Sequence, residues 1–205
     1  MNERDLTDLV RHYQTHFHPQ FSQHLAFYQD DLPTIDMSIE YAALAKLPSG
    51  KRHPHQYNLK RTVLESVRQQ LQANAHQLEQ GSSFEAIIHV VRGCAVPGFG
   101  ELAIYDTALR LAVRLGKRPT AVYLHAGTRK GAVALGLNVK RAIIPMDELP
   151  SPLQKLGSDH AENFLCIYKD QLSKPILSDS PSPHACTPVR NVPQQVSDSC
   201  TSRSE

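Results

Sequence analysis

The segment Tyr123-Leu124-His125-Ala126-Gly127-Thr128-Arg129-Lys130-Gly131-Ala132 places a histidine, two glycines, a hydroxyl and two bases within ten positions. An apolar run followed by a glycine-bounded turn and a helix is a reasonable anion cradle, because free N–H groups at a helix start attract phosphate. Arg129 and Lys130, both expected to be exposed, would add charge to it, with Gly127 and Thr128 at its floor. His125 stands in front of the turn, and a side chain whose reference pKa is near 6.5 suits acid–base work at neutral pH. The segment matches neither GxxxxGK[ST] nor GxGxxG. The plainer reading is a turn in which Thr128 caps a helix.

A second group, Ser49-Gly50-Lys51-Arg52-His53-Pro54-His55, leads into Asn58, Lys60 and Arg61. Bases around a helix start suit phosphate contacts, with Lys51 and Arg52 foremost, and an exposed basic loop without a ligand reads equally well. His12 and His16 share a helix face at i,i+4, with His18 and His24 beyond them. Two histidines so spaced can share a metal, but HExxH is absent and no cysteine is near, so no metal site is expected. The four cysteines, at 94, 166, 186 and 200, form no CxxC and no close pair, which favours reduced thiols over a disulfide framework. No cofactor motif is present and none is implied. Paired catalytic carboxylates, a G-x-S-x-G elbow and a Cys/His nucleophile pattern are also missing, so whether the chain is an enzyme stays open and no reaction is disclosed.

From Phe84 to Leu115 the chain reads as a buried helix, the turn Val96-Pro97-Gly98-Phe99-Gly100, and a second helix. This pattern resembles the helix-hairpin-helix module of DNA-binding and repair proteins. The resemblance implies that Gly98 and Gly100 bring backbone N–H groups close to a DNA phosphate, with the second helix's N-terminus adding favourable partial charge. It covers about thirty residues. The family usually has a small residue four positions after the second glycine, where this chain has Ile104, and Glu101 follows the glycines directly. Glycosylases of this family use an aspartate past the hairpin, which the acid-free residues 107–146 do not supply, so that activity is not carried over. Asp106 reads instead as an i,i+4 partner of Arg110.

Charge is segregated along the 205 residues, although the net value is only +2. Residues 1–45 balance to −5 and 46–68 to +5, and 107–146 hold eight bases without one acid. A clustered positive field attracts polyanions, and Arg110 and Arg114 extend it beside the hairpin. The alternative is a solvated basic face balanced by the acidic N-terminal segment.

The elements that must position these residues are mainly helical. Apolar residues at spacings of three and four predict amphipathic helices over 3–17, 36–47 (capped by Asp36), 57–79, 84–92, 101–116 and 159–172, with a shorter one around Phe21, Leu25 and Tyr28. Ala121–His125 and Arg141–Pro145 are candidate short strands. The expected fold is mainly α, with α+β possible. It comprises one globular domain over 1–175, in which an acidic helical segment 1–45 packs on a basic helical core 46–175. A Pro/Ser-rich tail over 176–205 buries too little apolar surface to fold. No apolar run approaches the ~20 residues of a membrane span, and the acidic N-terminus is no signal peptide, so a cytoplasmic protein without a membrane partner is expected.

The leading expectation is a nucleic-acid-binding protein that holds phosphates through Gly98, Gly100, Arg110, Arg114, Arg129 and Lys130 without strong sequence specificity. DNA is favoured over RNA. One alternative is an enzyme or sensor for a small phosphorylated molecule using the HAGTRKG turn. Another is a protein-interaction module.

Overall fold

The computed structural model describes residues 3–173, the His55 side chain excepted; the tail expected over 176–205, with Cys186 and Cys200, lies outside the described residues. The protein is mainly helical. In chain order the helices are α1 (Glu3–His16), α2 (His18–Ala26), α3 (Ile35–Ala43), α4 (Arg61–Ala73), α5 (Ala75–Glu79), α6 (Phe84–Gly93), α7 (Glu101–Arg114), α8 (Ala126–Ala134), α9 (Ser151–Gln154), α10 (Ser158–Ile167) and α11 (Lys169–Leu172). A two-stranded antiparallel ribbon, β1 (Ala121–Tyr123) and β2 (Ile143–Pro145), pairs Val122 with Ile144.

Local chemistry explains most boundaries. Two helices, α1 and α2, separate near Phe17, and Pro19 occupies the first turn of α2, where its missing N–H costs nothing. The cap of α3 is Thr34 and not Asp36, because the Thr34 hydroxyl accepts from the Met37 amide while Asp36 lies already inside the first turn. Ser83 caps α6 as its position suggests, accepting from the Ala86 amide. The long helix expected over 57–79 is two helices meeting at Asn74, and residues 57–60 stay outside it because Lys60 is extended. The helix expected over 159–172 is likewise divided at Tyr168.

The apolar side chains gather in two clusters. One collects α2 to α7, including Leu25, Tyr28, Ile39, Leu64, Ile87 and Leu111. Helix α7 is its axis, buried continuously from Ala103 to Val113 except at Asp106. The other joins α1 to β1, β2 and α8–α11 through Tyr13, Val122, Ile144, Leu153, Phe164 and Tyr168. Each large side chain so enclosed contributes on the order of 1.5–3 kcal/mol. Tyr123 touches both regions: it packs on the first cluster, with Phe84 at a centroid distance of 5.1 Å, while its neighbour Val122 lies in the second.

Residues 127–131 are not a turn before a helix but the first turns of α8 itself. Their glycines have a packing role. A Cβ on Gly127 would sit 2.6 Å from Cys166 Sγ, and one on Gly131 would collide with the Leu165 carbonyl. Two glycines four apart on one face therefore let α8 lie directly against α10. This contact builds the site described next.

Candidate functional site

One stripe from each of α2, α7 and α10 converges on a cavity of about 250 Å³. Helix α7 contributes Leu102, Tyr105, Asp106, Leu109 and Arg110, spaced as one helical face. Helix α2 supplies Gln20, Phe21, His24 and Leu25; α10 supplies Glu162, Asn163, Cys166 and Ile167. His53 and Pro54 close one side, and His125 enters from the start of α8.

At the α8–α10 end three polar side chains form a closed triangle. The Thr128 hydroxyl donates to Glu162 Oε1 at 2.6 Å and lies 2.7 Å from His125 Nε2, and His125 Nε2 also meets Glu162 Oε1 in a very short contact. All three residues are buried. The close glycine contact brings Thr128 and Glu162 within reach, so the sequence feature that suggested a phosphate cradle instead assembles a buried acid–base cluster.

At the other end Arg110, only 3% exposed, donates to Gln56 Oε1 at 3.0 Å and lies 3.7 Å from Asp106 Oδ2, the i,i+4 partner that the spacing predicts. Beside it the His24 pKa is pushed down to about 3, first by burial and then by the Arg110 charge, so its imidazole is neutral near pH 7. Between the two ends Tyr105 lies 3% exposed, its ring 6.1 Å from that of His125. Burial and the fields of Glu162, Asp159 and Asp106 raise its pKa well above the usual value, so it keeps its proton.

Helix α2 is fastened to α10 by a second polar group. The His160 ring stacks on His18 at 3.8 Å, and its Nδ1 and Nε2 lie 2.9 Å from the Tyr13 hydroxyl and 3.3 Å from the Ser22 hydroxyl. Burial leads in pushing the His160 pKa down to about 4. His12 and His16 stack at 4.1 Å, and His12 Nδ1 meets the Tyr168 hydroxyl at 2.6 Å. Among the described residues no group of three His, Cys, Asp or Glu side chains is arranged to hold a metal ion.

The residues singled out for phosphate binding are dispersed. Gly98 and Gly100 are exposed in the α6–α7 hairpin while Phe99 is buried, and Gly98 has φ +96°. Glu101 pairs with Arg92 at 2.8 Å across that hairpin. Arg110 belongs to the cavity wall, and Arg114 donates to the Pro33 carbonyl. Arg129, expected to be exposed, is half-buried, its guanidinium on the Val139 and Leu124 carbonyls. Lys130 is exposed and lines an open depression with Lys169, apart from the cavity that holds His125. Lys51 is exposed, and Arg52 holds the Tyr57 and Leu59 carbonyls.

The sequence pointed to His125 and Arg110 but not to Glu162, Tyr105 or His24 as members of one site. Glu162 is 37 residues from His125, and no local motif can signal a pairing made by helix contact. The usable signal was the spacing Leu102, Tyr105, Asp106, Leu109, Arg110, an apolar face carrying charged and hydroxyl groups where hydrocarbon alone would suffice. No family model matches the chain, and neither a curated protein nor a solved structure matches it.

Proposed function

We propose that the protein binds a small organic molecule in the cavity between α2, α7 and α10 and that His125 with Glu162 exchanges a proton with it. The observation that carries this reading is the placement of a buried, hydrogen-bonded histidine–carboxylate pair on the wall of a largely apolar cavity, the usual setting of a ligand site. A carboxylate that fixes one ring nitrogen of a histidine sets its tautomer and orientation. With the Nε2 hydrogen donated to Glu162, the lone pair of Nδ1 is the proton acceptor of the pair, and the Thr128 hydroxyl holds the carboxylate in place. The reaction class is general acid–base catalysis. The positive charge expected of a phosphate site is not concentrated here, because Arg110 faces Asp106 and Lys130 lies outside the cavity.

Thermal unfolding in the presence of a fragment library tests the reading. A ligand at a hundred times its Kd stabilises the fold by about 2.7 kcal/mol, a readily measured shift. Leu102→Trp, which fills the cavity from α7, should abolish that shift while the variant remains folded. Stabilisation that persists undiminished in Leu102→Trp would place the ligand elsewhere.

A second reading, nucleic-acid phosphate binding at the hairpin, is favoured by one contact. Gly98 packs against Val63, which sets the exposed Lys60 and Arg61 at the start of α4 beside the exposed hairpin glycines. Duplex DNA affinity that falls steeply between low and moderate salt, and weakens in Lys60→Ala with Arg61→Ala, supports it. Absence of binding at low salt removes it.

A further inference from the structure

Helix α10 lines the cavity with Glu162, Asn163, Cys166 and Ile167, one stripe repeating at three and four residues. Cys166 therefore follows Glu162 by one turn on the same face, and its short side chain, a Cβ and a sulfur, is half-buried. Across the helix contact the thiol meets the start of α8. A Cβ placed on Gly127 would lie 2.6 Å from Cys166 Sγ and 3.7 Å from His125 Cε1, so sulfur and imidazole flank the same bare glycine face. Cys94, by contrast, is enclosed in the other apolar cluster, where burial pushes its thiol pKa up.

The surroundings of the Cys166 sulfur are those that favour a thiolate. The thiolate is the nucleophilic form, and it is stabilised beside a helix N-terminus and beside a protonated histidine. Gly127 is the second residue of the nine-residue α8, and His125 at its cap makes no side-chain hydrogen bond to the opening amides. Those amides have no intrahelical acceptor and carry the positive end of the helix dipole. The His125 imidazole is held by Glu162, which balances its charge once it takes a proton. A nucleophile, a base beside it and a third group orienting the base make up the arrangement of covalent catalysis.

Resting on the small-molecule reading of the cavity, we infer that Cys166 is the nucleophile of this site and that the ligand is a small uncharged ester or thioester whose acyl group passes to the sulfur. The Cys166 S–H gives its proton to His125 Nδ1, and the sulfur pair forms a bond to the acyl carbon. The carbonyl π pair moves to oxygen, where the amides at the start of α8 offer donors, and returns as the bond to the leaving atom breaks. The leaving oxygen or sulfur keeps that bonding pair and takes the proton from His125. Water then adds to the acyl carbon and yields a proton to His125. The carbon–sulfur bond breaks with its pair returning to Cys166, which recovers that proton. The net change is hydrolysis to an acid and an alcohol or thiol, with nothing oxidised or reduced. Phe21 and Leu102 with the amides of Gln20 and Asn163 line the rest of the wall, so the apolar and polar parts of such an ester both find partners.

The test treats the full chain with 4-nitrophenyl acetate, with free glutathione as the reference thiol, and reads acetylation cysteine by cysteine from peptide masses. At about pH 6.5 Cys166 should acetylate about tenfold faster than glutathione, because an ordinary thiol is almost wholly protonated there. About one 4-nitrophenolate per chain should appear in a burst, followed by slower release as the thioester hydrolyses. Cys166→Ser should lose the burst. Leu102→Trp, which fills the cavity, should slow acetylation of Cys166 about tenfold. A Cys166 rate in the parent no greater than that of glutathione overturns the inference, as does acetylation confined to lysines. Either leaves the cavity reading standing, since stabilisation by fragments does not depend on the thiol. Fast acetylation of Cys166 that Leu102→Trp leaves undiminished places the reaction outside the cavity and overturns both readings.

Discussion

Gly131 of α8 lies against the backbone carbonyl of Leu165 in α10, with no room for even a methyl group between them. Because the obstruction is backbone, it cannot swing aside, and Gly131→Ala must push the two helices apart. The expected cost is about 3 kcal/mol, at the upper end for overpacking. Gly93 in α6 has open space where a Cβ would be, and Gly93→Ala should be neutral or slightly stabilising. Urea unfolding of the two variants checks the contrast; equal stabilities would mean the helices are not packed this closely in solution.

Thr128→Val preserves shape but deletes the hydroxyl that donates to Glu162. A buried carboxylate that loses one of its donors should cost about 2 kcal/mol, against less than 0.5 kcal/mol for a surface threonine. The same variant should weaken proton exchange by His125, since Glu162 loses the contact that orients it. A stability within 0.3 kcal/mol of the parent, measured by denaturant titration, would falsify the triangle.

The bases once grouped by sequence should separate by their surroundings. Arg110→Ala removes a buried guanidinium that donates to Gln56 and faces Asp106, and is expected to cost about 3–5 kcal/mol. Arg129→Ala releases two carbonyls that tie the α8–β2 segment and should cost about 1–2 kcal/mol. Lys130→Ala, on an exposed helix face, should stay within about 0.5 kcal/mol. The three unfolding midpoints give the ranking directly.

Acid should loosen the fold through two buried histidines. In the unfolded chain a histidine binds a proton below about 6.5. His24 and His160 stay neutral in the folded protein until about pH 3 and pH 4. Between pH 6.5 and those values the unfolded state holds more protons, so stability is full above pH 6.5 and falls as the pH drops through this window. His24 alone contributes a slope of up to about 1.4 kcal/mol per pH unit, and His160, more open to solvent, a smaller one. His24→Gln should flatten the profile of unfolding free energy against pH between 6.5 and 4; an unchanged slope would show that His24 is solvated.

The helical character of the chain was legible because its signals are local. Leu6, Val10 and Tyr13 recur on one face of α1, and Ser83 announces α6 from the position that a cap must occupy. The glycines of α8 were misread for a physical reason. Within a short window, a glycine that turns the chain and a glycine that admits a neighbouring helix are the same letter. Gly98, with φ +96°, is the first kind; Gly131 is the second. The candidate site was legible only in fragments, since His125 and Arg110 stand out by residue type whereas Tyr105 and Glu162 acquire meaning only when α7 and α10 face one another. Charge segregation was visible in the sequence, yet it could not say that Arg110 would be turned inward.

The cavity walls come from positions as distant as Phe21 and Cys166, and the last of them, α10, also carries the carboxylate. During synthesis the cluster of α2 to α7 can close while the later residues are still inside the ribosome, because its members all precede residue 116 apart from Tyr123, which packs at its edge. For that interval the nascent chain has a hydrocarbon groove along α7 with Arg110 at one end and no Glu162. Only when α10 emerges and its backbone meets Gly131 does the groove acquire a lid and the Glu162 carboxylate together. Closure thus arrives in one late step, and a ribosome that stalls before residue 162 releases a helical body with an open apolar flank along α7.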